Sequence, residues 1–332
     1  MTKTNAEEIA AEEKNKNARD ERKKKWNATQ WMCFAIVLIP LAAYVIFNGF
    51  PILISFVSMF TDMRKNNLST MHWNNFENFI GYTDAYGEFH HGVFNDPRFW
   101  KSWGVTLWLA CAQIVSLSIA LMIAYLLEQK IKGAKVFQVL FFIPYICSSI
   151  AVSVMWSWIF AYKNGILNAI LNTNINWLNN VDNPHTLTWA VFVTILWTAP
   201  CYGIVMYKAA LKNVNPALYE AASIDGANGF QKFWYITFPG IKSVTYFLIL
   251  AGITAGLTVF DQVTVLAPVQ WTQVAGPEDA GLTVMYYIYL QGVESSEMEY
   301  AAVMSWMLFV VMFAFSFVFI KLRDKEAEEA NR

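Results

Sequence analysis

Charge is the scarcest thing in this sequence. Asp, Glu, Lys and Arg make up 15% of its 332 residues, against about 25% in an ordinary soluble domain. That shortage argues against the two soluble domains which the length alone would suggest. With 24 basic against 25 acidic residues, the chain has no cationic surplus to spread over phosphates, so a nucleic-acid partner is excluded. Cysteine is as sparse. Cys33, Cys111, Cys147 and Cys201 stand in four separate apolar runs without metal-ligand spacing, and read as small hydrophobes. The HExxH and GxxxxGK[ST] patterns are both missing. His72, His90, His91 and His185 fall in expected loops. Metal-dependent hydrolysis and phosphate-loop ATP binding therefore have no support here.

What is present is apolar: 56% of the residues are hydrophobic, with 14 Trp and 25 Phe, the reverse of a disordered composition. The few charges lie in bands. None occurs from Trp31 to Thr61, Ser102 to Leu127, Val136 to Tyr162, Thr186 to Tyr207, Ser243 to Phe260 or Tyr300 to Ile320. A helix needs about 20 residues to cross the hydrocarbon layer. Buried helices of a soluble protein keep a polar face, whereas these segments are apolar all round. The expectation is an all-α protein of the lipid bilayer with six transmembrane helices, at about 31–60, 103–127, 137–161, 187–208, 243–262 and 300–321. Residues 1–30 form a charged tail and 323–332 a second one.

Lys and Arg orient the spans. With both termini cytoplasmic, the inner segments hold 19 of them and the outer segments 5. The last outer loop, Asp261 to Glu299, has six acidic residues and no basic one. Trp26 and Trp31 mark the inner edge of the first span, while Trp100, Trp103, Trp156, Trp158 and Trp189 fall near outer edges, where an indole satisfies both its ring and its N–H. The N-terminal stretch is too polar for a signal peptide. It reads as a partly helical tail ending in Lys23-Lys24-Lys25, a topology anchor.

Between the fourth and fifth spans lies Asn215 to Ile241. Asn215 can cap a helix whose first turn suits Pro216, and Gly226 can stop it as a C′ residue. A second short helix from about Phe230 to Thr237 would end before Pro239, giving a helix–turn–helix elbow. Ala221 and Ala222 allow close approach by another protein and Glu220 offers a charge, although an amphipathic loop lying on the membrane is equally consistent. In the spans, Trp197, Thr198 and Tyr202 share part of one helical face near Pro200. Gly252 and Gly256, four apart, suit close helix packing more readily than pocket lining. Two further segments, the Asn-rich Asn164 to Val181 and the 12-residue Leu282 to Val293, which is too short to cross, read as surface or re-entrant helices.

The pattern Glu220-Ala221-Ala222, Gly226, Ile236 and Phe238-Pro239 resembles the EAA loop of binding-protein-dependent ABC importer permeases. Asp225-Gly226-Ala227 and Phe233 are similar to its carbohydrate branch. Ile143-Pro144, Trp156-Ser157-Trp158, Asn164 to Asn168, Asn176-Trp177-Leu178, Phe260 to Val263 and Tyr286 to Tyr289 extend the likeness over roughly residues 30–322. Three places depart from it: Phe238 where Leu is usual, Val105-Thr106 where Asn-Thr is frequent, and Ala275-Gly276-Pro277 after a longer polar insert, Val269 to Val274.

The resemblance implies a type I ABC importer permease (MetI-like) fold in a bacterial cell membrane, and a non-catalytic subunit that binds no cofactor. A second permease, an ATPase pair carrying ATP-Mg and an extracytoplasmic solute-binding protein would be its partners, with a sugar as cargo. Glu220, Ala221, Ala222, Asp225, Gly226, Ile236 and Pro239 would couple it to the ATPase, within an elbow loop of about 209–242. Trp197, Thr198, Tyr202, Gly252 and Gly256 would fall on the pathway. Maltose-like oligosaccharides, other disaccharides and glycerol phosphates all remain open as cargo. A secondary solute carrier usually has ionisable groups in its spans, which are missing here. A membrane-embedded enzyme lacks its carboxylate or His cluster, and a channel leaves the elbow unexplained.

Overall fold

The computed structural model describes residues 28–63, 71–74, 76–83, 86–129, 132–267 and 274–330. The expected N-terminal tail with Lys23 to Lys25, Trp26, and the polar insert at 269–273 lie outside these residues. The chain divides into two units, residues 1–57 and 58–332.

The first unit is the helix α1, Thr29–Ser58, apart from its last residue, 30 residues long with its apolar side chains exposed. Pro40 lies inside it, and Val45–Gly49 forms a single wide π turn. An all-apolar exposed surface on a helix this long is what hydrocarbon selects.

The second unit opens with two antiparallel hairpins, which depart from a purely helical expectation. β1 (Thr61–Met63) pairs with β2 (Met71–Trp73), and after the single turn α2 (Glu77–Ile80), β3 (Gly81–Thr83) pairs with β4 (Phe89–His91). The Nδ2 amides of Asn74 and Asn78 both donate to the carbonyl of Thr61, fixing the first hairpin to α2.

Four unbroken apolar helices follow: α3 (Pro97–Glu128), α7 (His185–Lys212), α9 (Gly229–Leu257) and α12 (Met298–Ala330). The expected third span is different. It is a pair of helices, α4 (Ala134–Ile146) and α5 (Ser149–Ile159), bent by 100° at the break. Charge counting over 137–161 overlooked what breaks it. Pro144 removes a backbone donor from the last turn of α4, and Cys147 and Ser148 then take extended conformations, ψ 147° and 135°.

The elbow also differs from expectation. The short helix α8 (Pro216–Ile224) is capped by Asn215, whose side chain accepts from the Ala217 N–H. Its end is a Schellman turn: Gly226 has φ +77°, and the Ala227 N–H donates to the Ala222 carbonyl at 2.9 Å. The expected second elbow helix, however, does not stop before Pro239. It runs into the span through a π turn, Phe233–Thr237, so α9 is continuous from Gly229, with a capping box made by Asn228 and Gln231. The elbow proper is therefore residues 213–228, shorter than the 209–242 expected.

Short helices fill the opposite, hairpin end: α6 (Ile166–Leu171), α10 (Asp261–Leu266) and α11 (Val284–Tyr289), the last continued by a π turn, Leu290–Glu294. Buried Asn168 organises the segment after α5, accepting from the Trp177 indole at 2.9 Å and donating to the Ile175 carbonyl at 2.8 Å.

Two apolar clusters hold the helices. One, at the hairpin end, gathers Phe99, Leu109, Leu187, Ile195, Leu257, Val263, Leu282 and Met304; the other, at the elbow end, gathers Leu117, Ala124, Ile204, Tyr207, Leu211, Ile241 and Leu248. Small residues let α3 approach its neighbours. A Cβ on Gly203 would stand 2.9 Å from the Ala120 Cβ, and one on Gly256 would stand 2.7 Å from the Ala110 Cα. At Gly252 the nearest atom would be 3.4 Å away. Gly256→Val should therefore lower stability by about 1–3 kcal/mol through overpacking, whereas Gly252→Ala should be nearly neutral, as read by thermal unfolding in detergent.

Candidate functional site

Between the two apolar clusters, one level of the bundle is left unfilled. On α3, Gln113 falls between Ala112 of one cluster and Leu117 of the other; on α7, Thr198 and Tyr202 fall between Ile195 and Ile204; on α9, Ala251, Gly252 and Ala255 fall between Leu248 and Leu257. These residues line a cavity of ≈ 330 Å³, closed on another side by Pro144, Tyr145, Cys147 and Ser149 at the α4–α5 break and by Gln262 of α10.

The polar groups of this cavity are few and mostly uncommitted. Thr198 spends its hydroxyl proton on carbonyls of its own helix, Thr194 at 3.2 Å and Ile195 at 3.3 Å, which leaves only its oxygen lone pairs to face inward. Among the described residues, the Tyr202 hydroxyl and the side-chain amides of Gln113 and Gln262 have no hydrogen-bond partner. The Tyr145 and Tyr202 rings stack with centroids 5.6 Å apart. Ser149, the first residue of α5, donates its hydroxyl to the Asp261 carboxylate. Among the described residues the lining contains no Lys, Arg, Asp, Glu or His. Two amides, a phenol and apolar ring faces can bind a hydroxyl-rich, weakly polar molecule by paired donors and acceptors and by ring contact.

Of the residues singled out from sequence for the pathway, Thr198, Tyr202 and Gly252 come together here. Trp197 does not; it packs edge-on against Trp156, centroids 5.9 Å apart, and is half exposed. Gly256 also lies outside, serving the contact with α3. Neither Gln113 nor Gln262 is a charged residue, so charge patterning does not point to them; Gln113 is an amide inside a charge-free run, whereas Gln262 follows Asp261 beyond the fifth run.

The elbow stands apart from the cavity and none of α8 is buried. Glu220, Ala221, Asp225, Gly226 and Pro239 are exposed, while Ala222 and Ile236 are half-buried. Exposed apolar side chains accompany them, Ile224 at 87% and Phe230 at 73%. What holds the elbow rigid lies beneath: the Tyr219 and Thr237 hydroxyls bond at 2.8 Å, the Lys232 ammonium donates to Ser223 at 2.8 Å, and Val214 is seated against Gly240, where a Cβ would stand 2.9 Å from it.

At the hairpin end a single carboxylate ties three elements. Asp96 caps α3 by accepting from the Arg98 N–H at 2.8 Å, and its other oxygen accepts from the hydroxyls of Tyr287 at 2.5 Å and Tyr300 at 2.8 Å. Burial and the bond to Asp96 hold the Tyr287 phenol far above its ordinary pKa, so it remains a donor. Thr106, at the departure from the Asn-Thr pattern, makes a parallel tie: its hydroxyl donates to the Ser102 carbonyl and accepts from the Val284 N–H at 2.9 Å. The Ala275-Gly276-Pro277 turn is anchored by the fork of Arg98 on Asp279, at 2.8 and 2.9 Å. Asp96→Ala should cost about 2–4 kcal/mol, through the loss of one helix cap and of the acceptor for the buried Tyr287 and half-buried Tyr300 hydroxyls. Asp96→Asn, which keeps an acceptor oxygen, should recover part of the lost melting temperature.

Comparison with known proteins bears on both features. A family model described as "Binding-protein-dependent transport system inner membrane component" matches residues 116–324. The arabinooligosaccharides transport system permease protein AraP of Bacillus subtilis (strain 168) is 30% identical over 290 residues, 84% of each chain. The multiple sugar-binding transport system permease protein MsmF of Streptococcus mutans is 26% identical over 293 residues, 88% of this chain and 95% of that one. Among solved structures, a chain of a bacterial ABC transporter involved in the import of the acidic polysaccharide alginate superposes with a TM-score of 0.72 at 20% identity, covering 93% of this chain and 99% of that chain.

Proposed function

This chain belongs to the family of binding-protein-dependent transport system inner membrane components, and from that membership we propose that it forms one side of a sugar-import pathway driven by a separate ATPase. The observation that carries the reading is the cavity between the two packed clusters. Gln113, Tyr202 and Gln262 hold unspent hydrogen-bonding groups in an otherwise apolar wall, which is the chemistry a sugar needs: amides for hydroxyls and ring faces for C–H surfaces.

In this reading a second permease chain supplies the facing wall, and an extracytoplasmic binding protein delivers the sugar at the hairpin end. The Lys and Arg excess at the elbow end supports placing that end in the cytoplasm. There the exposed surface around Glu220, Ala221, Ala222, Asp225 and Gly226 docks on the ATPase, which carries the ATP-Mg; Ile236 and Pro239 lie in the first turns of α9, within and just after its π turn. Both helices joined by the elbow also wall the cavity, α7 through Thr198 and Tyr202 and α9 through Gly252. A push on the elbow is transmitted to both walls at once, as rigid-body movement of packed helices.

The test is uptake into proteoliposomes by the assembled transporter. Glu220→Lys and Gly226→Trp should cut uptake at least about ten-fold while the chain still inserts and assembles; a Cβ at Gly226 would meet nothing within 4 Å among the described residues, but its φ of +77° strains any side chain, so Glu220→Lys is the variant that reports on the partner surface. Normal uptake by both variants would overturn the coupling role. Tyr202→Phe and Gln113→Leu should each lower uptake about ten-fold, the worth of one hydrogen bond to a polar ligand, with basal ATP hydrolysis retained.

A further inference from the structure

The same cavity discriminates by charge. Among the described residues its lining offers amides, hydroxyls and tyrosine rings, and no cationic side chain. The local source of positive potential is the N-terminus of α5, an 11-residue helix that begins at Ser149 on the cavity wall. A helix start carries partial positive charge on its free N–H groups and would draw an anion. Here that attraction is already answered. Ser148 makes no side-chain cap, and Ser149 instead gives its hydroxyl to the Asp261 carboxylate. Asp261 is half-buried, next in sequence to the cavity-lining Gln262, and opens α10. The wall therefore presents a fixed negative charge behind Ser149 and no positive one.

We infer that this cavity selects uncharged saccharides and that Asp261 is the residue that turns anionic ones away. The inference rests on the proposed sugar pathway and narrows its cargo. A carboxylate or phosphate group entering the cavity loses hydration, finds no counter-charge, and meets Asp261 at the helix start that would otherwise receive it. A neutral saccharide loses little, because Gln113, Gln262 and Tyr202 replace its water with direct hydrogen bonds. Of the cargoes that the sequence leaves open, the oligosaccharides fit and the glycerol phosphates do not.

The experiment is equilibrium binding to the purified permease–ATPase complex without its binding protein, so that selection upstream does not enter. Radiolabelled neutral trisaccharides, built from pentoses and from hexoses, are each paired with their own aldonic acid, which differs only in its oxidised reducing end. Both are titrated to millimolar concentrations. The expected result is at least about ten-fold tighter binding of the neutral partner, with the ratio narrowed in Asp261→Asn. A merely structural role for Asp261 would weaken both members of a pair equally and leave the ratio unmoved. Equal or tighter binding of the acids by the unmodified chain, or an unchanged ratio in Asp261→Asn, would overturn the charge selection. If no trisaccharide of either kind binds while binding-protein-stimulated ATP hydrolysis is intact, the cavity is not the sugar site and the underlying reading falls with it.

Discussion

Polar groups in this bundle have almost no water to fall back on, and the chain answers by bonding them to itself. Hydroxyl after hydroxyl in the spans donates to a carbonyl three or four residues back: Ser102 to Phe99, Thr106 to Ser102, Ser116 to Gln113, Thr194 to Ala190, Thr254 to Leu250 and Ser305 to Ala301. Each such bond spends the one proton a hydroxyl has to donate, since in a low-dielectric interior an unmet donor is costly. The buried indole N–H groups of Trp103 and Trp156 find no partner among the described residues, and three further exceptions are informative. Gln113, Tyr202 and Gln262 keep their groups unspent, and they do so on three different helices at one level of the bundle. The cavity is defined as much by what its surroundings have satisfied as by its own shape.

That level is also where packing changes hands. The hairpin-end cluster and the elbow-end cluster meet α3, α7 and α9 on either side of it, with a cavity rather than close packing between them. Gly203 and Gly256 bring α7 and α9 against α3. The helices are thus clamped near both ends and loosely filled in the middle, an arrangement that favours tilting as stiff bodies over bending. The elbow, with its capped helix, its Schellman turn and the Tyr219–Thr237 bond, joins two of those bodies without slack.

Much of this was legible beforehand. Charge-free runs longer than a bilayer requires identify α1, α3, α7, α9 and α12, and the Asn215-Pro216 start and Gly226 stop of α8 follow from capping chemistry alone. The third span was not legible by the same means, because Pro144 and the Cys147-Ser148-Ser149 run are uncharged and pass unnoticed in a count of ionic residues. Pro239 misled in the other direction. A proline ends a helix when its missing donor leaves a carbonyl stranded, but the wide turn at Phe233–Thr237 shifts the bonding pattern just ahead of it and the helix continues. Of the cavity residues, Thr198 and Tyr202 share a helical face that spacing reveals, whereas Gly252 is placed on the pathway only by the resemblance. The close packing of Gly256 against Ala110 is what the Gly252–Gly256 spacing suggested, although the spacing does not identify the partner helix.

The wide turn at Phe233–Thr237 has a geometric meaning of its own. A π turn carries one residue more than the α-helix around it, and each residue of an α-helix advances its azimuth by about 100°. The extra residue therefore sets the compass bearing at which the elbow leaves the α9 axis, independently of any contact the elbow makes. Lineages that gained or lost it would point the same docking surface in a different direction. One position in the chain thus works as an indexing notch between the part that meets the cargo and the part that receives force.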